Sequence, residues 1–321
     1  MGANGAGKTN LLESLHVGTQ GFSPRTRSDA ELIRFGEQAA RIRLNGLRGQ
    51  TQVQIAVALS AGEGKRAEVN GARLRAAELL RSQSSTLVFT PDRLAIVKAG
   101  PAARRAYFDR TLGRLFPSRA QVAPDYAAAL AQRNAALKRG DRASIAPWTE
   151  QVAGLGATLV EARREALGLL STPFSTRAGE LGLEGARLSY EGDPPSVELL
   201  EARLERDLDR GATGLGPHLD DVSIAAGSRD LRSFGSQGEQ RTAVLALLLA
   251  EAALIEERRG EAPLLLLDDV LSELDPGRRR VLTDQLSARG QTLITSTTAD
   301  ALPGEPAQLL QVTPGEVAWS A

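Results

Sequence analysis

Lys8 and Thr9 stand side by side at the end of a run made almost entirely of glycine and alanine: Gly2, Ala3, Asn4, Gly5, Ala6, Gly7, then Lys8, Thr9 and Asn10. Glycines at that spacing let a backbone fold tightly, so that successive N–H groups and a following helix N-terminus point at one anion. A lysine at the end of such a loop reaches β- and γ-phosphates, and the next hydroxyl is offered to Mg2+. Chance supplies this pattern in roughly one chain per hundred of this length at ordinary glycine abundance. A merely flexible N-terminus is therefore the weaker reading, and the helical pattern after Lys8, with Leu11, Leu12 and Leu15 on one face, weakens it further.

A second constellation lies far downstream. Leu264, Leu265, Leu266 and Leu267 are followed at once by Asp268 and Asp269. A buried apolar strand that suddenly presents carboxylates is costly unless a cation or hydrogen-bond donors meet them. Asp268 is placed to work with Thr9 on a Mg2+ ion, and Asp269 to orient or deprotonate an attacking water. A solvated strand-end turn is the bland alternative, and it is the minority view in a chain that also carries Lys8 and Thr9. Between the two halves, Ser236, Gln237, Gly238, Glu239 and Gln240 open a helix with capping-box spacing, which alone favours a plain cap; Gly238 leaves the N–H groups approachable by a phosphate, and the position shortly before the Asp268 strand favours that use.

These residues need a scaffold. Alternating patterns over residues 41–70, closed by Asn70-Gly71, predict an antiparallel meander. Strands are expected at 86–89, 186–190, 221–224, 264–267 and 292–296. Helices are expected at 8–17, 101–115, 236–259 and 276–289, the last with Asp275 as N-cap and Gly290 past its end. Residues 117–210 read as Ala-rich and Glu/Arg-rich helices, none long or heptad-regular enough for an extended coiled coil. The reading is an α/β fold, a mixed sheet flanked by helices plus the meander, formed by residues 1–116 and 211–321, with 117–210 as an inserted helical lobe. A phosphate loop is normally fed by a buried strand, and only Met1 precedes Gly2. In-frame sequence upstream of Met1 is therefore expected to encode an apolar strand.

Composition narrows the function classes. The chain has 321 residues, 42% of them hydrophobic, so it can bury a large core. Zero cysteines exclude disulfides and thiolate metal sites and suit a reducing cytoplasm. Apolar runs are too short for a membrane span. A formal net charge of zero means that any nucleic-acid contact must come from local patches. Arg104, Arg105, Arg110 and Arg114 cluster on one predicted helix and are the candidates for phosphate contact, with a salt-bridged face equally open. Arg278, Arg279 and Arg280 pair with carboxylates or neighbour an interface. His16 and His218 are too few and too separated for a metal site. With 4% aromatics and none interleaved with basic residues, base-reading is not indicated.

The ordered set GANGAGKTN, SQGEQRT, LLLLDD and SELD (272–275) resembles the ATP-binding cassettes of the SMC and RecF branch. SPRTRSDAELIRFG at 23–36, VFTPDRLAIVKAGPAARRAYFD at 88–109 and GPHLDD at 216–221 are similar to the RecF family in particular. That resemblance implies ATP held with Mg2+ between the loop of one subunit (Gly2 to Asn10) and the signature of another (Ser236 to Gln240). Ser272 and Asp275 would then lie in a D-loop, and Thr9 and Asp268 at the metal. It also implies an ATP-dependent homodimer on gapped, single- or double-stranded DNA, with RecO and RecR as partners in recombinase loading, and places His218 near the nucleotide or the dimer contact. His218 in a structural hydrogen bond is the equal alternative.

The departures carry their own expectations. Thr90 stands where transporter cassettes place a glutamine, Thr297 where they place a histidine, and Asp269 where a glutamate is usual. A shorter carboxylate predicts slow hydrolysis. A scaffold with a vestigial ATPase is the second reading. A transporter ATPase subunit is the third, disfavoured by Thr90, Thr297 and the long separation of Lys8 from Ser236.

Overall fold

The computed structural model describes residues 1–26, 28–62, 64–272, 274–287, 290–298 and 302–319. In chain order the elements are α1 (Lys8–Gln20), β1 (Ala39–Arg48), β2 (Thr51–Ser60), β3 (Gly64–Val69), β4 (Ala72–Arg73), β5 (Thr86–Phe89), α2 (Ala95–Lys98) and α3 (Pro101–Leu115). There follow α4 (Val122–Arg139), α5 (Arg142–Glu180), β6 (Ala186–Glu191), α6 (Val197–Glu201), α7 (Leu204–Arg210), β7 (Asp221–Ala226), β8 (Arg229–Asp230) and α8 (Leu231–Phe234). The chain closes with α9 (Gln237–Arg259), β9 (Leu264–Leu267), α10 (Pro276–Ser287), β10 (Thr292–Ile294), β11 (Leu310–Thr313) and β12 (Glu316–Trp319).

Packing divides the chain into two compact units, one of residues 1–91 with 255–321 and one of residues 92–254. In the first, β1 to β4 form the antiparallel meander in sequential order, and β10, β9 and β5 form a parallel sheet with β9 central. Strand β2 alternates, turning Val53, Ile55, Val57 and Leu59 inward onto Val17, Ala77 and Leu80, while its other face stays open. The central strand β9 is apolar throughout because it has no solvent face, and Leu266 packs with Val88 of β5 and Leu12 of α1. Asp275 accepts the Arg278 N–H at 3.0 Å, the N-cap expected of it. Glu273 and Arg289, inside segments singled out above, lie outside the described residues.

The second unit carries the helical segment together with the β6-β7-β8 sheet. One difference from the sequence reading is α5, which runs unbroken for 39 residues although Pro147 and Pro173 lie inside it. An interior proline costs about 3 kcal/mol, and the buried series Val152, Leu159, Val160, Leu167, Leu170 and Phe174 along the helix outweighs that cost. Arg133 and Asp207, both fully buried, pair at 2.9 Å and join α4 to α7, with Thr149 and Thr213 as further partners of the guanidinium. Among the described residues no helix is long and apolar enough to cross a membrane.

Candidate functional site

The glycine-rich loop leads into α1 through Gly7, which serves as N-cap with φ 101°. Gly5 is also left-handed, at φ 79°, and neither glycine has an atom near where a side chain would begin. A Cβ at these positions would be strained and would occupy the hollow above the loop. Gly2 is required for a different reason: a Cβ there would fall 2.3 Å from the Val312 carbonyl oxygen. The Lys8 ammonium donates to the carbonyls of Gly2 at 2.7 Å and Ala3 at 2.9 Å, so it lies over the loop.

Two residues separated by most of the chain meet at the start of α1. Thr9 Oγ1 donates to the Asp268 carboxylate, 2.9 Å from Oδ2 and 3.1 Å from Oδ1. Asp268 is buried and Asp269 exposed. The reversal arises in the backbone: Asp269 adopts φ 50°, so the chain turns sharply off the end of β9 and the second carboxylate faces outward.

Thr295, one residue past the end of β10, holds both aspartates, and sequence reasoning did not single it out. Its hydroxyl donates to Asp268 Oδ1 at 2.7 Å and accepts from the Asp269 N–H at 2.9 Å. The signal was in the register: Ile294 pairs with Leu267, so the next residue of each parallel strand lies side by side. Thr297, the position compared with the transporter histidine, is exposed, and Thr90 is buried.

In the other unit, Ser236 and Glu239 form the reciprocal cap that their spacing predicts. The Glu239 N–H donates to Ser236 Oγ at 3.2 Å, and the Ser236 N–H donates to Glu239 Oε2 at 2.8 Å. Arg229 binds the other Glu239 oxygen at 2.7 Å and, with the Ser236 N–H, holds that carboxyl down to about 2. Ser236 and Gln237 are exposed at the helix start. Gln240 departs from the expected set. Its side chain is buried and donates to the Leu231 carbonyl at 2.8 Å, so it braces its own helix instead of facing outward. Ser272 Oγ donates to the Asp269 carbonyl at 3.0 Å, which ties the D-loop-like segment to the aspartate turn.

The arginine cluster needs correction. Arg104 is buried and grips Asp221 through two nitrogens at 2.7 and 2.6 Å. Burial works to raise the Asp221 carboxyl, but Arg104 prevails and holds it below its ordinary value. Arg105 donates to the Asp220 carbonyl at 2.6 Å, and Arg114 donates through Nε to the buried Glu251 at 2.5 Å. These three are engaged with their own unit, and only Arg110 is exposed. His218 is likewise structural: Nε2–H donates to the Thr213 carbonyl at 3.0 Å and Nδ1 accepts from the Tyr126 hydroxyl at 2.7 Å.

The fold and these contacts can be set beside known proteins. The family model describing the RecF/RecN/SMC N terminal domain matches residues 1–318. A protein of Heliobacterium modesticaldum named DNA replication and repair protein RecF is 37% identical over 95% of this chain and 87% of its own length. This chain belongs to the RecF family. A relative with the same name from Myxococcus xanthus is 36% identical over 94% of this chain and 84% of its own length. Among solved structures, the recombination mediator protein RecF with ATP, of the RecFOR pathway, superimposes with a TM-score of 0.87 at 28% identity, covering 100% of this chain and 90% of that one. The Smc head domain of Pyrococcus furiosus, bound to the C-terminal domain of ScpA, matches with a TM-score of 0.58 at 16% identity, covering 100% of this chain and 89% of that one. The α/β architecture of this RecF-family chain is therefore that of the ABC-type ATPase heads.

Proposed function

We propose that this chain binds ATP with Mg2+ at the Gly2–Asn10 loop and uses it to close a homodimer on DNA during recombinational repair. The observation that carries the reading is the meeting of Thr9 with Asp268 beside a glycine loop whose lysine lies over it. A triphosphate fits that arrangement: left-handed Gly5 and Gly7 leave the hollow open, and the start of α1 supplies N–H donors. Lys8 would exchange the Gly2 and Ala3 carbonyls for phosphate oxygens. Mg2+ fits as well, because Thr9 and Asp268 offer hard oxygens at one point, and when bound it would neutralise charge on the β- and γ-phosphates.

Asp269, exposed and turned off β9, is the group to orient the attacking water, while Asp268 stays fixed by two threonine hydroxyls. As an aspartate it reaches less far than a glutamate, which supports slow turnover and a role for ATP in holding a closed state. Ser236, Gln237, Gly238 and Glu239 would meet the γ-phosphate bound by a second copy, and Ser272 and Asp275 would lie beside that contact. The ATP-bound RecF neighbour supports the nucleotide, and its RecFOR pathway supports RecO and RecR as partners in loading recombinase at gaps.

The test is Lys8→Ala in the full chain. Nucleotide binding, ATP-dependent dimerisation and ATP-dependent DNA retention are all expected to fall together, at least tenfold. Dimerisation and DNA retention that survive the change would leave the scaffold reading in place of the switch. A single subunit that hydrolyses ATP rapidly, with no dependence on protein concentration, would also sink it.

A further inference from the structure

The chain carries no net charge, 39 basic against 39 acidic residues, so a polyanion must meet a local surplus of positive charge. The open face of the meander has one. Strand alternation turns Arg41 and Arg43 of β1, Arg66 of β3 and Arg73 of β4 to the same side, away from the Val17 and Leu80 core. All four are exposed. The register sets them in two rows, Arg41–Ala58–Arg66 and Arg43–Ala56–Glu68–Arg73, so the guanidinium stems rise around a floor of two alanines. Glu68 is the one carboxylate among the outward positions of these four strands. The remaining outward residues include Asn45, Gln52, Gln54 and Ser60, uncharged groups that can donate.

The opposite face behaves differently. Lys65, one residue from Arg66, points inward and is paired with Asp29 at 2.8 Å. Arg41, Arg43 and Arg73 have no hydrogen-bond or ion-pair partner among the described residues. We propose that this sheet face is a docking surface for the phosphate backbone of duplex DNA.

Charge and shape both favour that partner. Successive outward residues on one strand stand about 6.8 Å apart, close to the through-space spacing of neighbouring phosphates on one DNA strand, so Arg41 and Arg43 address neighbouring phosphates. The face offers arginines and amides, the groups that position a protein on a backbone. None of the outward residues of these strands is aromatic, so the face offers no ring on which an unpaired base would stack. Binding here is sequence-independent and salt-sensitive.

This assignment rests on the DNA-directed function proposed above, and one experiment keeps the two apart. The full chain with ATP is titrated with a fluorescent duplex at several salt concentrations, comparing wild type with Arg41→Gln/Arg43→Gln/Arg73→Gln and with a control, Arg139→Gln/Arg206→Gln/Arg210→Gln, changed at exposed arginines of the helical segment. Loss of three phosphate contacts lowers the slope of log affinity against log salt by about 2.7, at about 0.9 per contact. It also weakens binding at least tenfold, while the control keeps the wild-type slope and nucleotide affinity is equal in all three proteins. A triple variant that binds nucleotide normally and keeps the wild-type slope overturns the docking face. If that variant instead loses binding to polyglutamate with its DNA slope intact, the face belongs to an acidic protein and the proposal is equally wrong. Wild type that binds no duplex refutes the DNA-directed function itself.

Discussion

Thr295→Val keeps the branched shape of the side chain and removes one oxygen, so it isolates what that hydroxyl does. Two bonds disappear. The 2.7 Å donation to Asp268 Oδ1 goes to a carboxylate, and hydrogen bonds to charged groups contribute about 1.5–3 kcal/mol. The 2.9 Å contact from the Asp269 N–H is the other, and leaving a donor without a partner costs about 1–3 kcal/mol. The N–H belongs to a residue at φ 50°, a conformation that persists only where its surroundings hold it. Thr9 still donates to Asp268, and water reaches the exposed Asp269, so the loss settles toward about 2–4 kcal/mol of local stability. At about 1.4 kcal/mol per factor of ten, that is roughly a 30- to 700-fold faster opening. Hydrogen–deuterium exchange of the peptide covering β9 and both aspartates reads it directly, with a peptide from α5 in the other unit as the internal reference. Thr295→Ser restores the hydroxyl and should return protection to within about 1 kcal/mol. ATP turnover should fall by about a hundredfold in the valine protein, because a displacement near 1 Å at a reacting group costs that much. Equal exchange of the β9 peptide in wild type and Thr295→Val would refute the claim that this hydroxyl fixes the aspartate turn.

Asp269→Asn should lower turnover about a hundredfold or more while leaving ATP affinity within a factor of three; a variant as active as wild type would remove Asp269 from the water-orienting role. Glu251→Gln takes the one carboxylate from the buried meeting of Arg114 and Tyr107, beside Arg93, which burial and then Arg114 already hold down to about 10. It should cost about 3 kcal/mol, seen as a lower urea midpoint for residues 92–254; an unchanged midpoint would contradict it. Burial holds His218 below the ordinary histidine value, so the unfolded chain takes up a proton there that the folded chain resists. Its contribution is complete above about pH 6.5 and declines as pH falls below that value. His218→Gln should therefore flatten the drop in urea midpoint between pH 7.5 and 5.5, and an equally steep drop would exclude His218 as its source.

What the sequence made legible, and what it hid, follows from how far each interaction reaches along the chain. Contacts closed within a few residues were readable: the Ser236–Glu239 cap, the Asp275 cap and the glycine loop before Lys8 all stand as their spacing dictates. So was the apolar β9, because a strand buried on both faces leaves an unbroken run. Thr295 was hidden because its partner is 27 positions away and only strand register brings them together. Arginines failed in the same way and in both directions. Arg104 and Arg114 look like a basic patch because they are close in sequence, yet carboxylates 117 and 137 positions away absorb them. Arg41, Arg43, Arg66 and Arg73 do not look like a patch, since 22 residues, all of β2 among them, separate the first pair from the others, and the antiparallel register gathers them on one open face. Charge density along a sequence is therefore a poor guide to charge density on a surface. On this face it is strand register, not closeness in sequence, that gathers the charge.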